Sequence, residues 1–272
     1  MADFLRLFDY TQAELFHIFY LANQAEAGRF STALRGKTVA LFLPETHLLA
    51  RVTFQTSVRR LGGEPLWLSP AALGEAEDLQ QTLAYLDNWV DLVVLHHPDP
   101  DYGYQLAQWI QAPVLQAGSP CAVLGDLYAF SQRDRDILRA QYLFCGPAGP
   151  QAHAWQDAAA TLGLSITQCC PEGYGLSGLP VCSDLATAIQ GKDLICTGAY
   201  PRENLEVFRP YRITTQVLAR ANPGALLSPG LPFTQGIEVD PAVLHSHYFV
   251  GYSFKKNLIQ LEQALLLHCL IH

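Results

Sequence analysis

Thr38-Val39-Ala40-Leu41-Phe42-Leu43-Pro44 has the composition of a strand, and the residues behind it have helical character. The same pairing of strand run and helical stretch recurs at Pro65–Ser69, Asp91–His96 and Pro113–Ala117. Strands alternating with helices build a parallel sheet, because a parallel neighbour is reached only through a crossover. After the charged segment Ser131–Arg139 the pattern restarts, with strand runs at Tyr142–Gly146, Ser165–Cys170, Leu194–Gly198, Leu226–Gly230 and Tyr248–Tyr252. The expectation is an α/β chain of two doubly wound parallel-sheet domains of similar size, at residues 1–133 and 134–252.

The two ends of the chain read as helices. Thr11-Gln12-Ala13-Glu14 is a capping-box pattern, and Leu15, Ile18, Phe19 and Ala22 follow at helical spacing, so a first helix is predicted from about residue 12 to 25. Leu258, Leu261, Leu265 and Cys269 share one stripe, so residues 253–272 are predicted to form a terminal helix packing back on the first domain.

With 272 residues and half of them hydrophobic, the chain has enough apolar material for a large core, which excludes a disordered or disulfide-stapled protein. A net charge of −8 with no basic block argues against a nucleic-acid partner, whose phosphates need clustered cations. The seven cysteines form an odd set without C-x-x-C spacing, most of them inside apolar runs, so a reducing compartment is expected and Cys169-Cys170 reads as inert packing. Asp3, Arg6, Asp9 and Glu14 interrupt any signal-like core, and no apolar stretch approaches the ~18 residues of a membrane span. A soluble, cytoplasmic protein without a membrane partner is expected.

In open parallel sheets the ligand crevice lies beyond the carboxyl ends of the strands, so the residues that follow each strand carry the functional information. Arg51 stands early in a helix, whose free N–H groups favour an anion, with a solvated or salt-bridged residue as the alternative. His47 at the helix mouth and His96 at a strand end are further anion candidates, or ordinary loop histidines. His96-His97 is not expected to bind a metal, because adjacent residues on extended chain point apart and no Asp, Glu or Cys cluster accompanies them. Ser119-Pro120 reads as an N-cap followed by proline at the first helical position, and Asp126 as a structural residue of that helix. Gly146-Pro147-Ala148-Gly149-Pro150 sits where a dinucleotide fold places its glycine fingerprint, but the two prolines remove N–H groups that a pyrophosphate would use. No cofactor is expected.

The order and spacing of several fragments resemble the ornithine and aspartate carbamoyltransferases, the ornithine type above all. Phe4-Leu5-Arg6-Leu7-Phe8-Asp9-Tyr10-Thr11, Leu34-Arg35-Gly36-Lys37-Thr38 and Arg51-Val52-Thr53-Phe54-Gln55 look like that family's first-domain motifs, with Leu61-Gly62-Gly63 and Leu68-Ser69-Pro70 behind them. Gly230-Leu231-Pro232, Gly236-Ile237-Glu238-Val239 and the helix carrying Asn257, Gln260 and Ala264-Leu265-Leu266 look like its second-domain and terminal motifs. The resemblance implies a first domain for carbamoyl phosphate, a second for an amino acid, and homotrimers with sites between subunits.

The residues that would do the chemistry depart from the family. Its S-T-R-T-R phosphate loop is His47-Leu48-Leu49-Ala50-Arg51, so only the last arginine persists, and a further family arginine is His96. The H-P-x-Q motif that polarises the carbamoyl group is Ser119-Pro120-Cys121-Ala122. On the amino-acid side the matched positions are Gly198, where the family has Asp, and Pro229-Gly230-Leu231-Pro232, where it has H-C-L-P. Glu77 falls in the family's G-E-S loop, Leu258 replaces the arginine after Asn257, and Asn257 either caps the last helix or bonds across the cleft. Losing two arginine contacts at about 1.5–3 kcal/mol each weakens carbamoyl phosphate affinity by about 3–6 kcal/mol, on the order of 10² to 10⁴-fold. The resemblance with these losses implies a degenerate homologue, a pseudoenzyme that binds a small anion or an amino acid, regulates, or assembles as a homotrimer or a mixed trimer with an intact homologue. The alternative is an active carbamoyltransferase with an altered acceptor.

Overall fold

A computed structural model describes residues 2–271 except 75–78, 98 and 100. The chain divides into one unit of Met1–Tyr128 with Lys256–His272 and a second of Ala129–Lys255. Each carries its own parallel sheet.

The first unit is built on β1 (Thr38–Phe42), β2 (Glu64–Trp67), β3 (Leu92–Leu95) and β4 (Val114–Gln116), in the order β2-β1-β3-β4. β1 and β3 are apolar at successive positions and buried throughout apart from Thr38, as expected for strands covered on both faces. Its helices are α1 (Gln12–Glu26), α2 (Leu48–Arg60), α3 (Ala71–Gly74), α4 (Leu79–Leu86), α5 (Tyr102–Ala107) and, up to Tyr128, α6 (Ser119–Ser131). The capping box at α1 forms as its sequence predicts: Glu14 N–H donates to Thr11 Oγ1 at 3.3 Å, and Thr11 N–H donates to Glu14 Oε2 at 2.8 Å. Phe4 extends the sheet by one bridge to Leu115, its N–H donating to Val114 O at 2.8 Å.

The terminal helix, Asn257–Ile271, packs against α1 and α2, and Leu258, Leu261, Leu265 and Cys269 are buried. Its other contact with α2 is polar. Glu262, 1 % exposed, accepts from Thr53 Oγ1 at 2.7 Å and contacts Ser57 Oγ at 3.2 Å. Burial pushes its carboxyl well above the ordinary glutamate value against the opposing effect of the two hydroxyls.

The second unit holds β5 (Gln141–Cys145), β6 (Ser165–Cys169), β7 (Val181–Cys182), β8 (Leu194–Thr197) and β9 (Leu226–Pro229), in the order β7-β6-β5-β8-β9. α7 (Pro150–Leu162) follows β5; it starts with proline at its first position and ends at left-handed Gly163.

Two expectations need correction. Tyr248–Tyr252 is not a strand: the segment makes one bridge, Phe249 with Leu227, before Gly251 takes a positive φ and Tyr252–Lys256 turns into 3-10 helix. In its place the fifth strand is β7, two residues long and directly after Pro180 on the opposite edge of the sheet, too short to leave a periodic signal.

Candidate functional site

In the first unit the strand order reverses between β1 and β3, which is where an open parallel sheet forms its crevice. Two of the three predicted anion residues meet there. The imidazoles of His47, immediately before α2, and His96, immediately after β3, lie with centroids 4.0 Å apart and planes tilted by 60°. Beneath them Gly118 has φ +104°, and a Cβ there would lie 2.9 Å from the His96 ring. Glycine is required both by that backbone conformation and by the ring resting on it.

Burial lowers the His96 pKa to about 4, with the neighbouring His47 and, more weakly, His97 adding to the effect. At neutral pH this imidazole carries no charge and gives a dianion no cationic partner. His47 occupies the N-cap position without capping the helix, and its Nδ1 is buried with no partner. His97 turns away from His96, stacks on Tyr102 at 4.0 Å and receives Asp99 N–H on Nδ1 at 3.2 Å. Among the described residues no group of three or more His, Cys, Asp or Glu is placed to hold a metal ion.

Arg51, the third predicted anion residue, is engaged elsewhere. Its Nη1 donates to Leu43 O at 2.9 Å and its guanidinium carbon lies 4.0 Å from the centroid of Trp67. Trp67 in turn donates Nε1–H to Gln55 Oε1 at 2.9 Å, which fixes the indole under the guanidinium. The surface of α2 around it is alkyl: Leu48, Leu49 and Val52 are 71, 40 and 54 % exposed.

The remaining first-unit candidates take structural places. Ser119 and Pro120 open α6 one position deeper in the helix than the sequence suggests: Ala122 N–H donates to Gly118 O at 2.8 Å, so Gly118 rather than Ser119 holds the N-cap place and the proline is the second helical residue. Cys121 is buried, and burial holds its thiol well above the usual range, which removes it as a nucleophile. Asn257 is the first residue of the terminal helix. Glu77 lies outside the described residues.

In the second unit Gly146, Gly198 and Gly230 follow β5, β8 and β9, and the three backbones are packed wall to wall. A Cβ on Gly198 would meet the Phe144 ring at 2.8 Å, and one on Gly230 would meet Thr197 O at 2.4 Å and the Gln151 amide at 2.8 Å. Their N–H groups are consumed internally: Gly146 donates to Cys169 O at 3.1 Å, Gly198 to Cys145 O at 2.9 Å and Gly230 to Thr197 O at 3.0 Å. The glycines therefore present neither free donors nor open space directly above them. Leu231 is half-buried and Pro232 exposed, joined by a cis peptide bond.

Sequence reasoning quoted Glu238 only as part of a motif. It is buried at 2 % exposure and accepts from Tyr200 N–H at 3.1 Å and Thr234 N–H at 2.8 Å, so it ties the segment after β8 to the segment after β9. Arg202 Nη2 donates to Thr234 Oγ1 at 2.8 Å in the same array. A buried carboxylate beside an expected crevice was the available signal, but its partners are backbone amides that no sequence pattern marks.

Residues 2–132 match the carbamoyl-phosphate-binding domain of the aspartate/ornithine carbamoyltransferases. The chain is similar to the ornithine carbamoyltransferase of Desulfotalea psychrophila, 26 % identical over 90 % of each chain, and to that of Halorhodospira halophila, 27 % identical over 98 % of each. Its fold matches the solved ornithine carbamoyltransferase of Pyrococcus furiosus with a TM-score of 0.90, at 24 % identity, over 98 % of this chain and 96 % of that one.

Proposed function

Because the chain belongs to the aspartate/ornithine carbamoyltransferase family, its altered residues are to be measured against that family's chemistry, and we propose that it is a non-catalytic member whose first unit no longer holds carbamoyl phosphate. One observation carries this reading: the arginine that persists in the phosphate loop spends its guanidinium on Leu43 O and Trp67, while Leu48 and Leu49 stand where a dianion needs donors. The neutral His96 ring supports it, since desolvating a phosphate next to an uncharged imidazole recovers little of the cost. A protein of this kind acts by binding a small ligand or by assembly, as a homotrimer or in a mixed trimer with an intact homologue. The exposed alkyl surface of Leu48, Leu49 and Val52 fits such an assembly role. The cysteine usage fits the cytoplasm.

Purified protein incubated with carbamoyl phosphate and either ornithine or aspartate tests the reading. The expected result is no citrulline and no carbamoyl-aspartate above an enzyme-free blank; production of either that an Arg51→Ala variant loses overturns it.

A second reading, an active transferase with a different acceptor, draws on His47, whose buried and unpartnered Nδ1 leaves one polar group at the α2 mouth without an internal role. Thermal-shift screening against carbamoyl phosphate, phosphate and a panel of amino acids separates the two. A ligand at 100 times its Kd stabilises by about 2.7 kcal/mol.

A further inference from the structure

Three cysteines stand in one row across the carboxyl ends of neighbouring strands in the second unit. Cys145 of β5 is in register with Cys169 of β6, and Cys169 is in register with Cys182 of β7. Register partners in a parallel sheet point to the same face, here the face whose core includes Leu143, Cys145, Cys169, Ile195 and Leu227, with Cys182 packed at its margin. Neighbouring strands run about 4.8 Å apart, inside the Cα separation of about 4.4–6.8 Å that a disulfide spans. All seven cysteines are reduced, and Cys182 alone is not buried.

The surroundings of Cys182 favour reaction. Lys192, 9 % exposed, donates Nζ–H to Thr167 Oγ1 at 2.8 Å and interacts electrostatically with the Cys182 sulfur. The thiolate is the form of a cysteine that attacks a peroxide. The nearby Asp184 carboxylate is turned into its own helix cap, accepting from Ala186 N–H at 3.2 Å and Thr187 N–H at 3.1 Å, and only its backbone oxygen meets the Cys182 thiol, at 3.4 Å. β7 is a two-residue edge strand, so its displacement toward β6 disturbs little of the ladder.

We propose that Cys182 and Cys169 form a peroxide-oxidisable pair that closes to a disulfide between β7 and β6. In the first step the Cys182 thiolate attacks a hydroperoxide, giving the sulfenic acid and releasing the alcohol, or water from hydrogen peroxide. In the second, the Cys169 sulfur attacks the sulfenic sulfur, forming the S–S bond and releasing water. Two thiols and one hydroperoxide thus yield one disulfide, one alcohol and one water, and a dithiol reductant restores the thiols by exchange. Cys145, hydrogen-bonded with Cys169 and fully buried, is the inner thiol of the row and is not reached by the oxidant.

The test uses the full native chain, treated with hydrogen peroxide, alkylated after denaturation and digested with chymotrypsin, which cuts at Tyr174 between the two cysteines. The expected result is a peptide pair joining Cys169 to Cys182, a fall from seven free thiols to five, and recovery of all seven with dithiothreitol. Cys182→Ser abolishes the link, and Cys145→Ser retains it in protein whose circular dichroism is unchanged. Oxidation of Cys182 to sulfinic acid with Cys169 still alkylated, a Cys145–Cys169 link, or a Cys182–Cys182 link between chains would each overturn the proposal, and the wild-type map decides even where a variant fails to fold.

Discussion

The Arg51 guanidinium sits over the indole of Trp67, 4.0 Å from its centroid, with Nη1 bonded to the carbonyl of Leu43. This pairing joins the first turn of α2 to the ends of β1 and β2, so Arg51 acts as a bracket inside the first unit. A cation–π contact of about 0.5–2 kcal/mol and a charged hydrogen bond of about 1.5–3 kcal/mol bound what its removal costs. Arg51→Ala is expected to lower unfolding stability by about 1–3 kcal/mol in urea melts, and Trp67→Ala combined with it is expected to cost less than the sum of the two changes.

Gly118 and His96 give a steric prediction. Gly118→Ala places a methyl 2.9 Å from the imidazole on a backbone at φ +104°, so it is expected to destabilise by about 1–3 kcal/mol. Adding His96→Ala to it removes the collision but not the backbone strain, so thermal melts of the double variant should recover part of the loss beyond the effect of His96→Ala alone.

His96 also fixes a pH window. Its folded value, about 4, lies below the model-peptide value of 6.5, so between these the unfolded chain binds the extra proton and stability rises with pH. The contribution is present above pH 6.5 and is lost as pH falls through 4. His96→Phe is expected to flatten the stability curve over that interval, and NMR titration of the imidazole should show no midpoint near 6.5.

Glu262 works in the opposite direction. Its folded pKa is raised above its unfolded one, so the folded state holds the proton longer, and stability is greatest below about pH 4.3 and declines as pH rises toward the folded value. Glu262→Gln keeps a neutral partner for Thr53 and Ser57 and is expected to flatten the decline in urea melts between pH 5 and 9. Glu262→Ala strips partners from two buried hydroxyls and leaves a cavity, at a cost of about 2–4 kcal/mol.

Most of this fold was legible because strand runs such as Leu92–Leu95, apolar at every position, and Leu194–Thr197, apolar up to its last residue, are punctuated by residues that favour turns. β7 was not, since two residues have no period, and Tyr248–Tyr252 misled because its aromatic and β-branched content is satisfied by packing beside β9 with one bridge. The site was less legible than the fold. Sequence placed Arg51, His47 and His96 after the correct strands, yet where each side chain turns depends on distant residues, Trp67 for one and Gly118 for another. Glu262, charged and on a terminal helix, reads as a surface residue until the serine and threonine of α2 are seen to enclose it.

Whether the first unit has given up carbamoyl phosphate is tested most directly by isothermal titration of the purified chain with that compound. No saturable heat is expected at millimolar ligand, and Arg51→Ala should give the same trace. A saturable isotherm with one site per chain, abolished by Arg51→Ala in protein that remains folded, would contradict it.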